Sequence, residues 1–188
     1  ADTLTGSAYE DFIDASFGAD IIAGGDGNDT ILPDIGEDTV DGGGGNDRIM
    51  YDVGEQIEDG ESIEGGAGDS DAIVLAGASA TDRHFDFTGV VVNGIEALEV
   101  SGPGSISDPV TVTLSPFNFT ISAIQHVTLS VETIFVFETD VVELFNVVFD
   151  GTATALSSTL ITGIAGNDVL AGGSLSDVIT GGSAVDVM

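Results

Sequence analysis

Gly24-Gly25-Asp26-Gly27-Asn28-Asp29-Thr30-Ile31-Leu32 is the stretch around which the chain is organised. Three glycines lead to Asp29, and an aliphatic residue, Ile31, follows two positions later. Asp29 is one rung of a ladder: Asp2, Asp11, Asp20, Asp29, Asp38 and Asp47 stand nine residues apart. Each is followed at plus two by an apolar side chain, namely Leu4, Ile13, Ile22, Ile31, Val40 and Ile49. A short fixed period with one oxygen ligand and one core residue per unit describes a solenoid held together by metal. The six aspartates stay in register even where glycines are lost, as in Gly6–Asp11, or in Pro33–Asp38, which keeps only Gly36.

Charge supports a cation. The 188 residues carry 33 Asp plus Glu against two bases, Arg48 and Arg83, a formal net charge of -31. Self-repulsion on this scale opposes a compact state. Disordered polyanions are poor in apolar residues, whereas 42% of this chain is hydrophobic, so bound cations are the better reading. Nucleic acid is excluded as a partner because phosphate neutralisation needs Lys and Arg. No run of 18 apolar residues suggests a membrane span, so no membrane insertion is expected. The chain has no cysteine; a secreted fold without disulfides needs another staple, and a metal supplies one. It starts at Ala1 without a signal-like segment. That fits a mature or excised piece, or export that leaves no N-terminal mark.

The expected organisation is tripartite: N-terminal repeats over 1–74, a β-rich middle over 75–162, and C-terminal repeats over 163–188. Residues 51–64 break the period with Asp52, Glu55, Glu58, Asp59, Glu61 and Glu64, either a solvated loop or further cation ligands. The repeat resumes at Gly65–Asp71, one residue longer, with Ile73 at the apolar position. In the middle, strands are expected at 72–75, 85–92, 97–100, 110–114, 126–131, 133–137, 141–149 and 160–164. Phe117 and Phe119 recur eighteen residues later as Phe135 and Phe137, which suggests that the coil length persists there without metal in every turn. The alternative is a β-sandwich inserted between two metal-binding ends; hairpin signals are scarce, which favours a continuous solenoid. From residue 163 the ladder returns as Asp168, Asp177 and Asp186, followed by Leu170, Ile179 and Met188.

Hard divalent cations seek oxygen, and calcium accepts six to eight oxygens in flexible geometry. Glycine lets a turn reach positive φ and bring carbonyls inward. If each coil takes two turns and two strands, residues i and i+18 stack. Asp2, Asp20 and Asp38 then line one edge and Asp11, Asp29 and Asp47 the other. An ion is expected between successive turns, with Asp20 and Asp38, or Asp29 and Asp47, contributing from both sides. The candidate metal residues are Asp2, Asp11, Asp20, Gly24, Asp26, Asp29, Asp38, Gly42, Gly44, Asp47, Gly65, Asp71, Asp168, Asp177 and Asp186.

The pattern Gly-Gly-x-Gly-x-Asp-x-apolar-x, complete at Gly24–Asp29 and Gly42–Asp47, resembles the calcium-binding nonapeptide repeat of the RTX (hemolysin-type) family. The resemblance covers residues 1–50, 65–73 and 163–188. Phe85-Asp86-Phe87-Thr88-Gly89-Val90 through Gly94-Ile95-Glu96-Ala97-Leu98 resembles linking segments of large RTX extracellular proteins. The resemblance implies an all-β parallel β-roll or β-helix solenoid with calcium-binding turns at both ends and a metal-poor middle. It also implies several Ca2+ ions, calcium-triggered folding outside the cell, and type I secretion. The turns of Asp11, Asp20, Asp38, Asp177 and Asp186 depart from the consensus by one or more glycines.

Other chemistries fail on the residues. G-x-G-x-x-G loses its last glycine to Thr30, Arg48 or Asp71, and the chain has no lysine for a phosphate loop. An EF-hand lacks its central glycine and distal glutamate. His84 and His126 are isolated, and no nucleophile motif is present. The expectation is therefore not an enzyme but a calcium-driven extracellular structural protein. The alternative is a non-catalytic folding and secretion module of a larger secreted enzyme or adhesin. The chain begins in register at Asp2 and ends in register at Asp186, with no polar cap at either end. Copies of it are therefore candidate head-to-tail partners, with calcium bridging Asp177 or Asp186 of one to Asp2 or Asp11 of the next. A piece cut from a longer repeat protein has the same open ends.

Overall fold

The structure is a computed structural model and describes residues 1–76, 84–101, 110–114, 126–129, 133–137, 148–150, 160–162, 169–171 and 178–180. Apart from one 3-10 turn, Gly54–Gln56, its regular elements are all strands. Strands β1 to β8 are Thr3–Thr5, Phe12–Asp14, Ile21–Asp26, Thr30–Leu32, Thr39–Gly44, Arg48–Tyr51, Ser62–Ala67 and Ala72–Leu75. Strands β9 to β13 are His84–Asp86, Val91–Asn93, Ala97–Val100, Val110–Leu114 and His126–Leu129. Strands β14 to β18 are Thr133–Phe137, Val148–Asp150, Leu160–Thr162, Val169–Ala171 and Val178–Thr180. No helix among the described residues is long and apolar enough to cross a membrane.

Every strand pairing is parallel and joins one coil to the next, so the chain is a β-roll. Even-numbered strands β2, β4, β6 and β8 continue through β11, β13, β15 and β17 as one eight-stranded sheet. The opposite side is split between a sheet of β1, β3, β5, β7 and β10 and a sheet of β9, β12, β14, β16 and β18. Thr3 faces Ile21 and Ile21 faces Thr39; on the other side Phe12 faces Thr30 and Thr30 faces Arg48. Those pairs are the eighteen-residue stacking that the aspartate spacing predicts. The all-parallel pairing also excludes an inserted antiparallel sandwich among the described strands.

Beyond Tyr51 the coil lengthens. Arg48 pairs with Ala72, Ala97 with His126 and Thr111 with Ile134. The constant eighteen-residue coil expected for the middle is therefore absent. Phe135 lies beside Val112, while Phe117 and Phe119 fall outside the described residues. The 18-residue step returns at Leu160 and Val178. The single strand expected at 85–92 is two, β9 and β10, separated at Thr88 and Gly89 and placed in different sheets. Where this coil widens, Phe85, Phe87, Val90 and Ile95 fill it and are buried. The outer parts of the strands expected at 126–131, 141–149 and 160–164 lie outside the described residues.

The plus-two residues make the core. Ile22, Val40, Ile63 and Val92 stack in one sheet; Ile31, Ile49, Ile73 and Leu98 stack in the other, all at most 1% exposed. Period-2 alternation turns their neighbours outward. Burial of each such aliphatic side chain contributes about 1.5–3 kcal/mol. On the outer face Arg48 crosses diagonally to Glu99 as a two-pronged pair, at 2.8 and 3.1 Å. This clamp ties the glycine-rich coils to the first coil of the middle.

Candidate metal centre

The turns fall on two edges. The first edge carries residues 6–11, 24–29, 42–47 and 65–71, each leading into the eight-stranded sheet. The second carries 15–20, 33–38 and 52–61. Because β4, β6, β8 and β11 are in register, Asp29, Asp47, Asp71 and Glu96 each stand one residue before their strand and form successive rungs above Asp11. On the second edge the same register aligns Asp2, Asp20, Asp38 and Glu61.

Asp20, Asp29, Asp38, Asp47, Asp71 and Glu96 each spend one carboxylate oxygen on the coil before. The backbone N–H of Asp11 donates to Asp29 Oδ1 at 2.8 Å, that of Asp29 to Asp47 Oδ1 at 2.8 Å, and that of Asp47 to Asp71 Oδ1 at 2.8 Å. The Asp71 N–H donates to Glu96 Oε2 at 3.0 Å. On the second edge the Asp2 N–H donates to Asp20 Oδ1, and the Asp20 N–H to Asp38 Oδ1 at 2.7 Å. The other oxygen of Asp20, Asp29, Asp38, Asp47 and Asp71 is buried and has no hydrogen-bond partner. All five side chains are at most 1% exposed. A buried carboxylate oxygen left unpaired is costly unless a cation or proton meets it.

On the first edge, oxygens approach so closely that only a bare glycine fits. A Cβ added to Gly24 would lie 2.3 Å from the Gly42 carbonyl oxygen and 2.5 Å from Asp29 Oδ2. At Gly42 the corresponding atoms are the Gly65 carbonyl oxygen at 2.4 Å and Asp47 Oδ2 at 2.5 Å. Carbonyl and carboxylate oxygens thus converge on the bare face of one glycine, turn after turn. Hard oxygen donors of this kind fit a calcium ion. Among the described residues no three acidic or histidine side chains gather at one point; the donor set is one aspartate per turn with main-chain carbonyls. At the same turn position the second edge has Ala15 and Pro33, both buried and each carrying a Cβ. It also holds Ser16 and Asp34 at φ 60 and 68 where the first edge has Gly25 and Gly43.

Electrostatics reflect the missing counter-charge. Burial raises the carboxyls of Asp47 and Asp71, and neighbouring carboxylates add to the effect. Asp38 is pushed up to about 6 by burial, opposed by the Asp20 N–H and reinforced by Asp20, Glu58 and Asp34. Asp11 behaves differently: the backbone N–H and hydroxyl of Ser7 donate to its Oδ2 and lower it.

The spacing rule had more reach than the nine-residue count. Glu61 and Glu96 are rungs that an Asp search at nine-residue steps misses, yet each has its apolar partner at plus two, Ile63 and Leu98. Glu61 ends its edge without an orphan. The Tyr51 hydroxyl donates to Glu61 Oε1 at 2.6 Å and the Glu58 N–H to Glu61 Oε2 at 3.3 Å. Burial pushes the Glu61 carboxyl up to about 8, and burial with the Glu61 charge holds the Tyr51 phenol well above its usual value. Residues 52–61 therefore form neither a simple solvated loop nor a glycine turn. Gln56 binds them to the previous coil, accepting from the Asp52 N–H at 2.6 Å and donating to Asp34 Oδ1 at 2.9 Å.

The remaining candidates sit further out. Asp2 and Asp26 are exposed; the Asp26 N–H donates to the Ser7 carbonyl, and Asp26 Oδ1 faces the open side of Gly44. Asp168, Asp177 and Asp186 lie outside the described residues. The model of the RTX calcium-binding nonapeptide repeat matches the chain in four copies, over residues 1–31, 34–55 and 162–188. These repeats bind Ca2+ ions and are a structural, non-catalytic module. No curated protein and no solved structure matches the chain.

Proposed function

We propose that this chain, which carries RTX calcium-binding nonapeptide repeats, is an extracellular structural element whose β-roll forms when calcium fills the first-edge ladder. The observation that carries this reading is the set of three buried first-edge aspartate oxygens without a partner, on Asp29, Asp47 and Asp71. In a chain of net charge -31, calcium both meets those oxygens and relieves the repulsion between coils. Where free calcium is low the polyanion stays unfolded and fit for export. Outside, where calcium is millimolar, modules of this kind bind with Kd of about 10⁻⁴–10⁻³ M, and binding free energy becomes folding free energy. Asp29 with Gly24 and the Gly42 carbonyl, and Asp47 with Gly42 and the Gly65 carbonyl, are the residues assigned to hold ions. Far-UV circular dichroism in excess chelator should lack the β signal and regain it on adding calcium. A spectrum unchanged by chelator contradicts the proposal.

The first coil supports association with a further coil. Its strands β1 and β2 are edge strands, Phe12 is 69% exposed, and a cleft of about 430 Å³ opens between Leu4, Gly6, Asp11, Phe12 and Ile13. Either an upstream repeat of a longer secreted protein or a second copy docked head to tail fits this edge. Sedimentation at low and millimolar calcium separates them. Calcium-dependent growth supports self-assembly into a filament or layer, and monomers throughout leave the role of a folding module.

A further inference from the structure

We propose that the ion ladder continues beyond the residues matched by the repeat family, to a calcium site built by Gly65, Asp71, Gly94 and Glu96. The site rests on the calcium reading of the first edge and extends it into a coil that lacks the consensus. Four observations place it. The register Arg48 to Ala72 to Ala97 makes Asp71 and Glu96 the rungs after Asp47. Asp71 is 0% exposed, and its Oδ2 is buried without a partner while Oδ1 accepts the Asp47 N–H. The Gly94 carbonyl oxygen lies 1.9 Å from where a Cβ on Gly65 would be, repeating the relation of Gly42 to Gly24 and of Gly65 to Gly42. A Cβ on Gly68 would lie 2.7 and 2.8 Å from the two Asp71 carboxylate oxygens, so the seven-residue turn adds a second bare glycine facing them.

Glutamate suits this last rung. Its longer arm lets Oε2 reach back to the Asp71 N–H at 3.0 Å from a turn that Gly94, Ile95 and Glu96 make in only three residues. Asp69 and Glu96 both act on Asp71 as like charges, and Arg48, the cation on the adjoining strand, is taken by Glu99. Among the described residues no other Lys or Arg is present to meet the negative charge here. Carboxylate and carbonyl oxygens without nitrogen or sulfur donors select calcium over softer metals.

The test counts calcium ions bound to the full chain by equilibrium dialysis and follows folding by circular dichroism. Asp71→Asn keeps the Oδ1 acceptor but removes the charge, and should bind one ion fewer while calcium still produces the β signal. Glu96→Gln keeps an acceptor for the Asp71 N–H and should weaken the last site at least fivefold without changing the others. If Asp71→Asn does not fold, Glu96→Gln decides. A parental ion count and parental midpoint in Glu96→Gln, with one ion lost in Asp47→Asn, overturns this site and leaves the underlying reading intact. A parent chain that binds no calcium overturns both.

Discussion

Gly42 and Gly44 share one turn, and replacing each by alanine should have unequal consequences. Neither has a left-handed backbone, so alanine imposes no conformational strain at either site. What differs is the space. At Gly42 the new methyl would meet the Gly65 carbonyl at 2.4 Å and Asp47 Oδ2 at 2.5 Å. Ordinary contact begins near 3.4 Å, so both oxygens must retreat by about 1 Å, from positions assigned to the ion. Overpacking of this kind costs about 1–3 kcal/mol. Losing one site of Kd about 1 mM at about 10 mM calcium removes about 1.4 kcal/mol more. Less the unfolded-chain gain of about 0.4–1 kcal/mol that applies to either glycine, the expected destabilisation is about 1.4–4 kcal/mol. At Gly44 the nearest atom is Asp26 Oδ1 at 3.1 Å, the end of an exposed side chain that can swing away. The restricted unfolded chain gains about 0.4–1 kcal/mol in return, so Gly44→Ala should stay within about 0.5 kcal/mol of the parent. Denaturant unfolding at 10 mM calcium, with ions counted by dialysis, measures both. Equal stabilities and equal ion counts in the two variants would refute the cradle.

Three further outcomes follow from the same geometry. Burial pushes the Glu61 and Asp38 carboxyls up to about 8 and about 6 in the folded chain, above the ordinary carboxylate range. The folded chain therefore holds protons that the unfolded chain releases, and calcium-free stability is greatest below pH 4 and falls up to about pH 8. Its slope is at most about 1.4 kcal/mol per pH unit for each group; calcium-free circular dichroism showing more β structure at pH 8 than at pH 4.5 contradicts this. Tyr51→Phe leaves Glu61 Oε1 buried without its donor and should lower stability by about 1–3 kcal/mol with no change in ion count, measured by denaturant midpoint and dialysis. Ile31→Ala, at 0% exposure, should cost about 2–5 kcal/mol, whereas Phe17→Ser, at 74% exposure, should shift the midpoint by under about 0.5 kcal/mol.

The coil between Asp2 and Asp47 was legible because each nine-residue unit carries both its ligand and its core residue, so register, inward face and stacking all follow from one count. The count failed where the turns change length. Residues 52–61 replace a six-residue turn, and the numerical period breaks although the aligned position, Glu61 with Ile63, is still an acid followed at plus two by an aliphatic. Glu96 with Leu98 repeats that pattern. What survives is the pairing of strands, which tolerates loops of different length, and a search for acid-x-apolar without fixed spacing finds both rungs. The inequality of the two edges was present in Ala15, Ser16, Pro33 and Asp34, but its meaning needed coordinates. A missing glycine in sequence does not reveal whether a carbonyl from the next coil points at the vacated face. The split of one side into two sheets was not legible, because Thr88-Gly89 reads as an interruption in a strand and becomes instead the passage from β9 to β10.

We place calcium between successive first-edge turns, against the aspartate oxygens that the protein leaves unpaired. Crystals grown in millimolar calcium, with anomalous difference maps, locate the ions directly. A file of peaks is expected along Asp29, Asp47 and Asp71, each about 2.3–2.6 Å from an Oδ2 and from the carbonyl of the next turn's first glycine. Peaks confined to exposed acids such as Asp26 and Asp41, with those buried oxygens still unmet, would contradict it.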